Sequence, residues 1–269
     1  MPETTLSIRD LQLLELDILR EVDALCRENG LTYYLGEGSM LGAIRHGGFI
    51  PWDDDLDILM PREDYETFLT LRDQLPGTLT VQHHTTTHPY WSPTIKVRLK
   101  DNSRFAQQHI ARLTAYNGPY IDIFPLDTVP AEKSPEQAKQ SRSFRIWRAL
   151  LMGKARTRPL NNWKNILWRV LALPLSYDLI FRQLDRHMTS LSTPDGAYYV
   201  NNGSYYDRVK ETAPKEWYGE PRYVPFEDGE YPVPQQAERL LTRIYGDYMT
   251  PPPESERGIH HYFGEGSGE

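Results

Sequence analysis

Four aspartates stand within five residues, at positions 53, 54, 55 and 57, inside the otherwise apolar run Phe-Ile-Pro-Trp-Asp-Asp-Asp-Leu-Asp-Ile-Leu-Met-Pro that spans residues 49–61. Alternate side chains of a β-strand point to the same face, so Asp55 and Asp57 share one face while Leu56 and Ile58 point into the core. Two carboxylates held this close repel each other unless a cation lies between them. Oxygen ligands at this spacing suit Mg²⁺ or Mn²⁺ and predict a divalent metal site rather than a solvated acidic turn.

A third acid stands in a second apolar strand, Tyr-Ile-Asp-Ile-Phe-Pro, at residues 120–125. Ile121 and Ile123 face one way and Asp122 faces the other. A carboxylate in a buried strand is costly without a partner, and a metal shared with Asp55 and Asp57 would supply one. The three carboxylates together are typical of metal-assisted phosphoryl transfer.

Phosphate contacts are predicted upstream of the acids and on a neighbouring strand. The sequence Gly-Glu-Gly-Ser at residues 36–39 precedes a short predicted helix, and glycines and helix-start amides admit phosphate groups. Lys96 and Arg98 alternate on a predicted strand and therefore share a face. They are candidates either for phosphate contact or for ordinary surface exposure.

The order of predicted elements is that of a mixed α+β protein. Apolar residues at helical spacing from Leu11 to Leu25 predict a first helix that begins near Ser7 and ends at Gly30. Further helices are expected at residues 39–46, 62–75 and 234–245, and strands at residues 31–35, 56–60, 78–82, 94–99 and 120–124.

Composition narrows the function classes. Hydrophobic residues make up 39% and charged residues 25% of the 269, which is typical of a globular protein, and a single cysteine excludes a disulfide framework. The net charge of −7 argues against nucleic-acid binding. Since the chain has neither a recognisable signal peptide nor an apolar stretch long enough to span a bilayer, we expect a cytoplasmic protein.

Basic residues are concentrated in the middle of the chain. Residues 133–169 contain ten Lys or Arg and one acid, for a net charge of +9, so the remainder carries −16. Arg142, Arg145 and Arg148 form a helical stripe among apolar and Trp residues. Two interpretations stay open: contact with anionic lipid at the inner face of the membrane, or an arginine face that covers the protein's own acidic domain.

The acidic run and its surroundings resemble the LicD family of phosphotransferases within the nucleotidyltransferase superfamily. The resemblance rests on the continuous motif at residues 38–65, on Gly38-Ser39, Asp55-Leu-Asp57 and Asp122, and on a C-terminal Tyr-Gly-Asp-Tyr-Met-Thr-Pro-Pro at 245–252 followed by His260-His261. It implies a nucleotidyltransferase-like mixed sheet with flanking helices, a helical insertion and a loop-rich C-terminal extension. We expect a catalytic core at 1–130, a basic helical region at 131–192 and an extension at 193–269 that packs on the core.

The resemblance also implies an activity. A Mg²⁺-dependent enzyme of this family transfers a phosphorylated alcohol, most familiarly phosphocholine, from a CDP-linked donor to a hydroxyl of a surface glycan such as lipopolysaccharide or teichoic acid, and releases CMP. Alternatives are a CDP-ribitol or CDP-glycerol donor, or a nucleotidyltransferase that moves NMP from an NTP to a small molecule. The acceptor would be a free or a lipid-linked glycan. A non-enzymatic membrane-surface protein is disfavoured, because a scaffold has no need of three crowded acids.

Residue roles follow from the same resemblance. Asp55 and Asp57 would hold Mg²⁺ or Mn²⁺ under the donor pyrophosphate, and Asp122 would be either a further ligand or the base for the acceptor hydroxyl. Gly38 and Ser39 would contact phosphate oxygens. Arg45 and Arg62 match the family pattern, and would either pair with Asp53 or Asp54 or reach the donor.

Aromatic rings are the expected binding partners of a quaternary ammonium group. We expect such a binding site to be formed by some members of one group of rings, without assigning the role to any single residue: Trp91, Tyr198, Tyr199, Tyr205, Tyr206, Trp217, Tyr218 and Tyr223.

Overall fold

The computed structural model describes residues 7–101, 113–157, 160–204 and 206–257. The α-helices in these segments are α1 (Ile8–Asn29), α2 (Glu37–His46), α3 (Arg62–Leu71), α4 (Pro135–Ala155), α5 (Trp163–Ala172), α6 (Tyr177–Thr189), α7 (Lys215–Tyr218) and α8 (Ala237–Tyr245). The strands are β1 (Tyr34–Leu35), β2 (Asp57–Pro61), β3 (Leu79–Gln82), β4 (Ile95–Leu99), β5 (Tyr120–Val129), β6 (Tyr198–Asn201), β7 (Thr212–Pro214), β8 (Arg222–Phe226) and β9 (Gly229–Val233).

Helix α1 begins and ends where the sequence predicts. The Ser7 hydroxyl accepts a hydrogen bond from the Asp10 amide, and the Asp10 carboxylate accepts one from the Ser7 amide, so that two amides of the first turn are satisfied. Gly30 ends the helix at φ 66°, in the left-handed region that glycine adopts without strain.

The main sheet is centred on β5. On one edge β5 pairs in parallel with β2, which in turn pairs with β1; on the other edge it pairs antiparallel with β4, which pairs with β3. The later part of β5, residues 126–129, extends past β4 and pairs antiparallel with β6. Strand β6 in turn pairs antiparallel with β7. The parallel register sets Asp57 directly opposite Asp122, so the two acidic stretches of the sequence meet at one place in the sheet.

Some element boundaries differ from the sequence prediction. The strand expected at residues 31–35 is only Tyr34–Leu35, and the helix expected at 62–75 ends at Leu71 and continues as a 3₁₀ turn, Arg72–Gln74. Strand β5 runs to Val129 instead of ending at residue 124. It continues because Asp127, the acid that would interrupt a buried strand, forms an ion pair with Arg62.

The mixed α+β class, with a mixed sheet flanked by helices, is confirmed. One apolar core lies around the sheet and includes Phe226, Tyr231 and Val233 of the C-terminal hairpin formed by β8 and β9. A second, smaller core joins α4 and α6 through Phe144, Leu151 and Ile180 among others. The division of the chain into a catalytic core at 1–130, a basic helical region at 131–192 and an extension at 193–269 stays a prediction. Within the described segments, every helix is too short or too polar to cross a lipid bilayer.

Candidate active site

A cavity of about 480 Å³ lies between α2, the residues before β2 and the C-terminal segment. Acids, one arginine and aromatic rings line it, among them Glu37, Asp53, Asp55, Asp57, Arg45, Trp52, Tyr206, Tyr245 and Tyr248, together with Gly38. The structure thus brings together Gly38, Arg45, Asp55 and Asp57 from the predicted catalytic and substrate-binding residues, and Tyr206 from the predicted rings. The other predicted residues are outside the set of described residues that line this cavity: Ser39, Arg62, Lys96, Arg98 and Asp122.

The start of α2 is fixed against the start of β2 by one hydrogen bond between backbone groups and one from a backbone amide to a side chain. The Gly36 amide donates to the Asp57 carbonyl at 2.9 Å, and the Asp57 amide donates to Ser39 Oγ at 2.9 Å. A Cβ on Gly38 would lie 2.7 Å from Asp53 Oδ2, so a larger residue here would displace the Asp53 carboxylate from its present place against α2. Ser39 is buried and holds Asp57 in position; its role at a phosphate stays a prediction.

Asp122 stands beside Asp57 on the neighbouring strand, and its amide donates to the Leu56 carbonyl at 2.9 Å. Both side chains are buried, at 7% exposure for Asp57 and 8% for Asp122. Asp57 contributes to the cavity wall, whereas Asp122 lies outside the set of described residues that line it. Asp55 and Asp57 therefore share the cavity wall, and Asp122 stands beside Asp57 behind that surface.

Lys96 is the partner of Asp122. Its Nζ lies 2.7 Å from Oδ1 and 2.6 Å from Oδ2 of Asp122, and 3.8 Å from the centre of the Tyr120 ring. Thr94 donates a further hydrogen bond to Asp122 Oδ1 at 3.2 Å. The chain itself therefore supplies a cationic partner for this buried acid, and a metal that Asp122 shares with Asp55 and Asp57 stays a prediction. Lys96 as a direct phosphate contact stays a prediction.

Crowding of acids raises pKa values around the cavity. Burial, followed by the charge of Asp55, raises the pKa of Asp57 well above its ordinary range, and the same causes raise the pKa of Asp53 to about 9. Burial and the charges of Asp55 and Asp122 raise the pKa of Glu37 to about 7, against a lowering by a Ser204 hydrogen bond. The site therefore favours binding of a cation.

Two acids of this site were missed by sequence reasoning. Glu37 begins α2 at φ 40° and accepts a hydrogen bond from Asn201 Nδ2 at 3.0 Å, a long-range contact without a sequence signal. Glu15 is fully buried in α1, and neither of its carboxylate oxygens has a hydrogen-bond partner. It stands on the same helical face as Leu11 and Val22, so its place on the apolar stripe was a signal that the sequence offered.

The arginines occupy three different settings. Arg45 lines the cavity and donates to the Tyr248 carbonyl at 2.6 Å. Arg62 forms two hydrogen bonds to Asp127, at 2.8 and 2.9 Å, so the expected pairing with Asp53 or Asp54 is wrong for this residue. Arg98 is fully buried, donates to Gln82 Oε1 at 3.0 Å and lies over the Tyr120 ring, which gives it a role in the core.

Only one of the candidate rings among the described residues lines the cavity. This ring is Tyr206, whose edge meets the face of Tyr245 at a centroid distance of 5.6 Å. Tyr218 is buried in the core and Trp91 packs beside Tyr90, whereas Tyr205 and His260-His261 lie outside the described residues. The structure instead adds rings that the sequence did not single out: Trp52, Tyr245 and Tyr248.

The cavity wall carries side chains that suit a divalent cation. Carboxylate oxygens are the ligands that Mg²⁺ and Mn²⁺ prefer, and Asp55 and Asp57 present them at the cavity wall. In the part of the chain that the structure describes, no three histidine, cysteine or acidic side chains already stand in ligating positions around one point. The acids fit such an ion in chemistry and in charge.

Comparison with known proteins identifies the family. Residues 30–165 match the family model described as LicD/FKTN/FKRP, nucleotidyltransferase domain. The chain is 29% identical over 270 residues, covering 95% of the chain and 96% of the relative, to the lipopolysaccharide cholinephosphotransferase LicD of Haemophilus influenzae. A shorter match, 40% identical over 60 residues, covers 22% of the chain and 12% of the ribitol 5-phosphate transferase FKRP of Homo sapiens. The chain belongs to the LicD family of phosphotransferases, as its acidic motif indicated.

Proposed function

We propose that this protein transfers a phosphorylated alcohol, with phosphocholine as the first candidate, from a CDP-linked donor to a hydroxyl of a cell-surface glycan and releases CMP. The observation that carries the proposal is that Asp55 and Asp57 line an open cavity and that Asp122 stands beside Asp57 on the neighbouring strand. Similarity to a lipopolysaccharide cholinephosphotransferase over nearly the whole chain supports the kind of group transferred and the class of acceptor.

Within the cavity, Asp55 and Asp57 would hold Mg²⁺ or Mn²⁺, with Asp122 as the third carboxylate close behind them. Such an ion neutralises the negative charge that develops on the transferred phosphoryl group and on the leaving nucleotide. Gly38 and the amides of the first turn of α2 would lie against the donor phosphates. Arg45, on the same wall, would contact a phosphate oxygen that points away from the acids.

Glu37 is the better placed base for the acceptor hydroxyl. Lys96 holds both oxygens of Asp122, whereas Glu37 lines the cavity and has a pKa of about 7, so that near neutral pH it exists in both protonation states. We therefore assign proton acceptance to Glu37, and we place Asp122 with its partner Lys96 behind Asp57 rather than among the groups that touch the substrate. Glu37→Gln should lower turnover at saturating substrate without preventing donor binding.

A choline donor is favoured over a polyol donor by the rings on the cavity wall. Aromatic faces attract a quaternary ammonium and offer nothing specific to a hydroxyl-rich chain. A polyol-phosphate transferase is the second candidate, because the 60-residue match is to a ribitol 5-phosphate transferase. Tyr206→Leu should weaken use of CDP-choline by about 2- to 30-fold, the range that corresponds to about 0.5–2 kcal/mol, and should leave CDP-glycerol unaffected. Tyr223→Leu is the matched control, since Tyr223 is 45% exposed against 43% for Tyr206 and stacks on Arg27 instead.

The decisive experiment is incubation of the protein and Mg²⁺ with CDP-choline, CDP-ribitol, CDP-glycerol or CTP, followed by measurement of CMP and pyrophosphate. We expect CMP from a CDP-alcohol and no pyrophosphate from CTP. Asp57→Asn should abolish CMP release while folding normally, because it removes one charge from a crowded set. The control Asp73→Asn changes an acid that is 85% exposed and should retain full turnover. Pyrophosphate release from CTP would overturn the proposal in favour of a nucleotidyltransferase.

A further inference from the structure

Helix α5 exposes an apolar face. Among its ten residues only Ala172 is buried, and Trp163 is 68% exposed. The exposed apolar positions follow the steps of three and four that place residues on one side of a helix: Trp163, Ile166, Leu167, Val170 and Leu171, with Leu160 and Leu173 at the two ends. These seven are half of the fourteen large hydrophobic residues that are exposed in the described chain.

The opposite side of α5 is fixed to the protein. A Cβ on Gly153 of α4 would lie 2.5 Å from the Trp168 carbonyl oxygen, so the two helices are in backbone contact there. Lys154 Nζ donates to the Leu173 carbonyl at 3.1 Å and holds the end of α5. The apolar face is therefore presented outward by a helix whose position is set, and a surface of this kind commonly marks an interaction site.

The stretch of chain that contains α5 is basic. Residues 137–177 contain nine Lys or Arg and no acid, whereas the chain as a whole carries −7. Lys164 is exposed next to Trp163 at the start of α5, and Arg156 is exposed at the end of α4. An apolar face with Trp, bordered by basic residues, is complementary to the headgroups and upper acyl chains of anionic phospholipids.

We propose that α5, together with Leu160 and Leu173, is a docking surface for an anionic phospholipid bilayer. A helix of ten residues is about 15 Å long and cannot span a hydrocarbon core of about 30 Å, so it would lie in the plane of the interface. A second copy of the chain is a poorer occupant, because two such faces would bring their basic borders together. The proposal goes beyond the transfer reaction and does not depend on it.

Vesicle sedimentation with the full chain tests the proposal directly. We expect the protein to sediment with vesicles of phosphatidylcholine and phosphatidylglycerol, to bind phosphatidylcholine vesicles weakly, and to be released as salt screens the basic residues. The double variant Ile166→Ser/Val170→Ser should lose about tenfold or more in partition coefficient, because several buried CH₂ and CH₃ groups are removed. Lys164→Glu should weaken binding to anionic vesicles only.

Controls separate docking from misfolding and from dimerisation. Leu13→Ser removes an apolar side chain that is 43% exposed on α1, and it should sediment like the wild type. Brominated lipid should quench fluorescence of the wild type more than that of Trp163→Phe. CMP release from a water-soluble donor should be unchanged in the α5 variants, so failure of docking is distinguishable from failure of the proposed reaction. Equal sedimentation of Ile166→Ser/Val170→Ser and wild type, or a dimer that dissociates on this substitution without vesicle binding, would overturn the proposal.

Discussion

The pair formed by Lys96 and Asp122 should be one of the most costly contacts in the sheet to break. Its two side chains are 9% and 11% exposed, and the Lys96 ammonium contacts both carboxylate oxygens and the Tyr120 ring. Two unit charges about 4 Å apart attract by about 4 kcal/mol at an effective dielectric constant of about 20. Removing one member of a buried pair costs about 3–5 kcal/mol, because the other charge is left without its partner.

Lys96→Met should therefore lower the free energy of unfolding by about 3–5 kcal/mol. Here the cost falls near the upper end, because Asp122 would then stand beside Asp57 without the positive charge of Lys96 to offset their repulsion. Asp122→Asn should cost less, since the amide oxygen can still accept from Lys96 and the repulsion by Asp57 is relieved. The double variant should be more stable than the sum of the two losses predicts, by about 2–3 kcal/mol.

The assay is urea unfolding at neutral pH in EDTA, followed by circular dichroism for the wild type, both single variants and the double variant. A coupling energy of about 2–3 kcal/mol would support the pair as described. Losses that add to within about 0.5 kcal/mol would refute the reasoning, since they would mean that the two charges do not stabilise each other.

Three further predictions concern the residues that frame the site. Arg62→Met should lower the free energy of unfolding by about 3 kcal/mol, because Arg62 pairs with the buried Asp127, and it should leave the KM for the donor unchanged. The control Arg72→Met breaks a surface pair at 3.6 Å and should have almost no effect on stability. Gly42→Ala should destabilise by at least about 2 kcal/mol, because its Cβ would lie 2.4 Å from the Gly48 carbonyl oxygen, whereas Gly77→Ala, which meets open space, should be neutral in the same thermal melt. Glu15→Gln should stabilise the protein by about 1–3 kcal/mol at about pH 8, and this gain in stability should vanish towards about pH 4.5. Glu21→Gln, on the exposed face of α1, is the control. A gain independent of pH would contradict the assignment of a raised pKa to Glu15.

The sign of the Glu15 effect follows from its pKa. Burial, followed by the charge of Asp55, raises the pKa of Glu15 well above the value of an unfolded chain. The folded protein therefore keeps a proton that the unfolded chain releases. Stability contributed by this group is present below the unfolded pKa and is lost as the pH rises above it. Replacement by Gln removes that loss.

Local patterns were enough to predict much of the fold. The stripe from Leu11 to Leu25 with its Ser7 and Gly30 ends gave α1 to within a residue, because capping and helical spacing are local properties. Alternation around Asp57 and Asp122 gave two buried strands. What the patterns could not supply was pairing: nothing local shows that Asp127 lets β5 continue by meeting Arg62 across the fold.

The site was predictable in its acids and not in their neighbours. A run of aspartates predicts a cation site from one stretch of chain alone. Asp55 and Asp57 of that run line the cavity. Lys96 was named for phosphate, whereas it is the partner of Asp122, because a strand pattern gives a face and not the contact made on it. Glu37 reaches the cavity through the geometry of α2 and Asn201, 164 positions apart in the chain.

Donor binding with and without a divalent cation tests the central claim most directly. Equilibrium dialysis of the wild type against labelled CDP-choline should show saturable binding in Mg²⁺ and none in EDTA, and Asp57→Asn should bind none in either. That result would mean that the carboxylates act on the donor through a cation, as the crowded acids indicate. Equal binding by the wild type in Mg²⁺ and in EDTA would contradict the account.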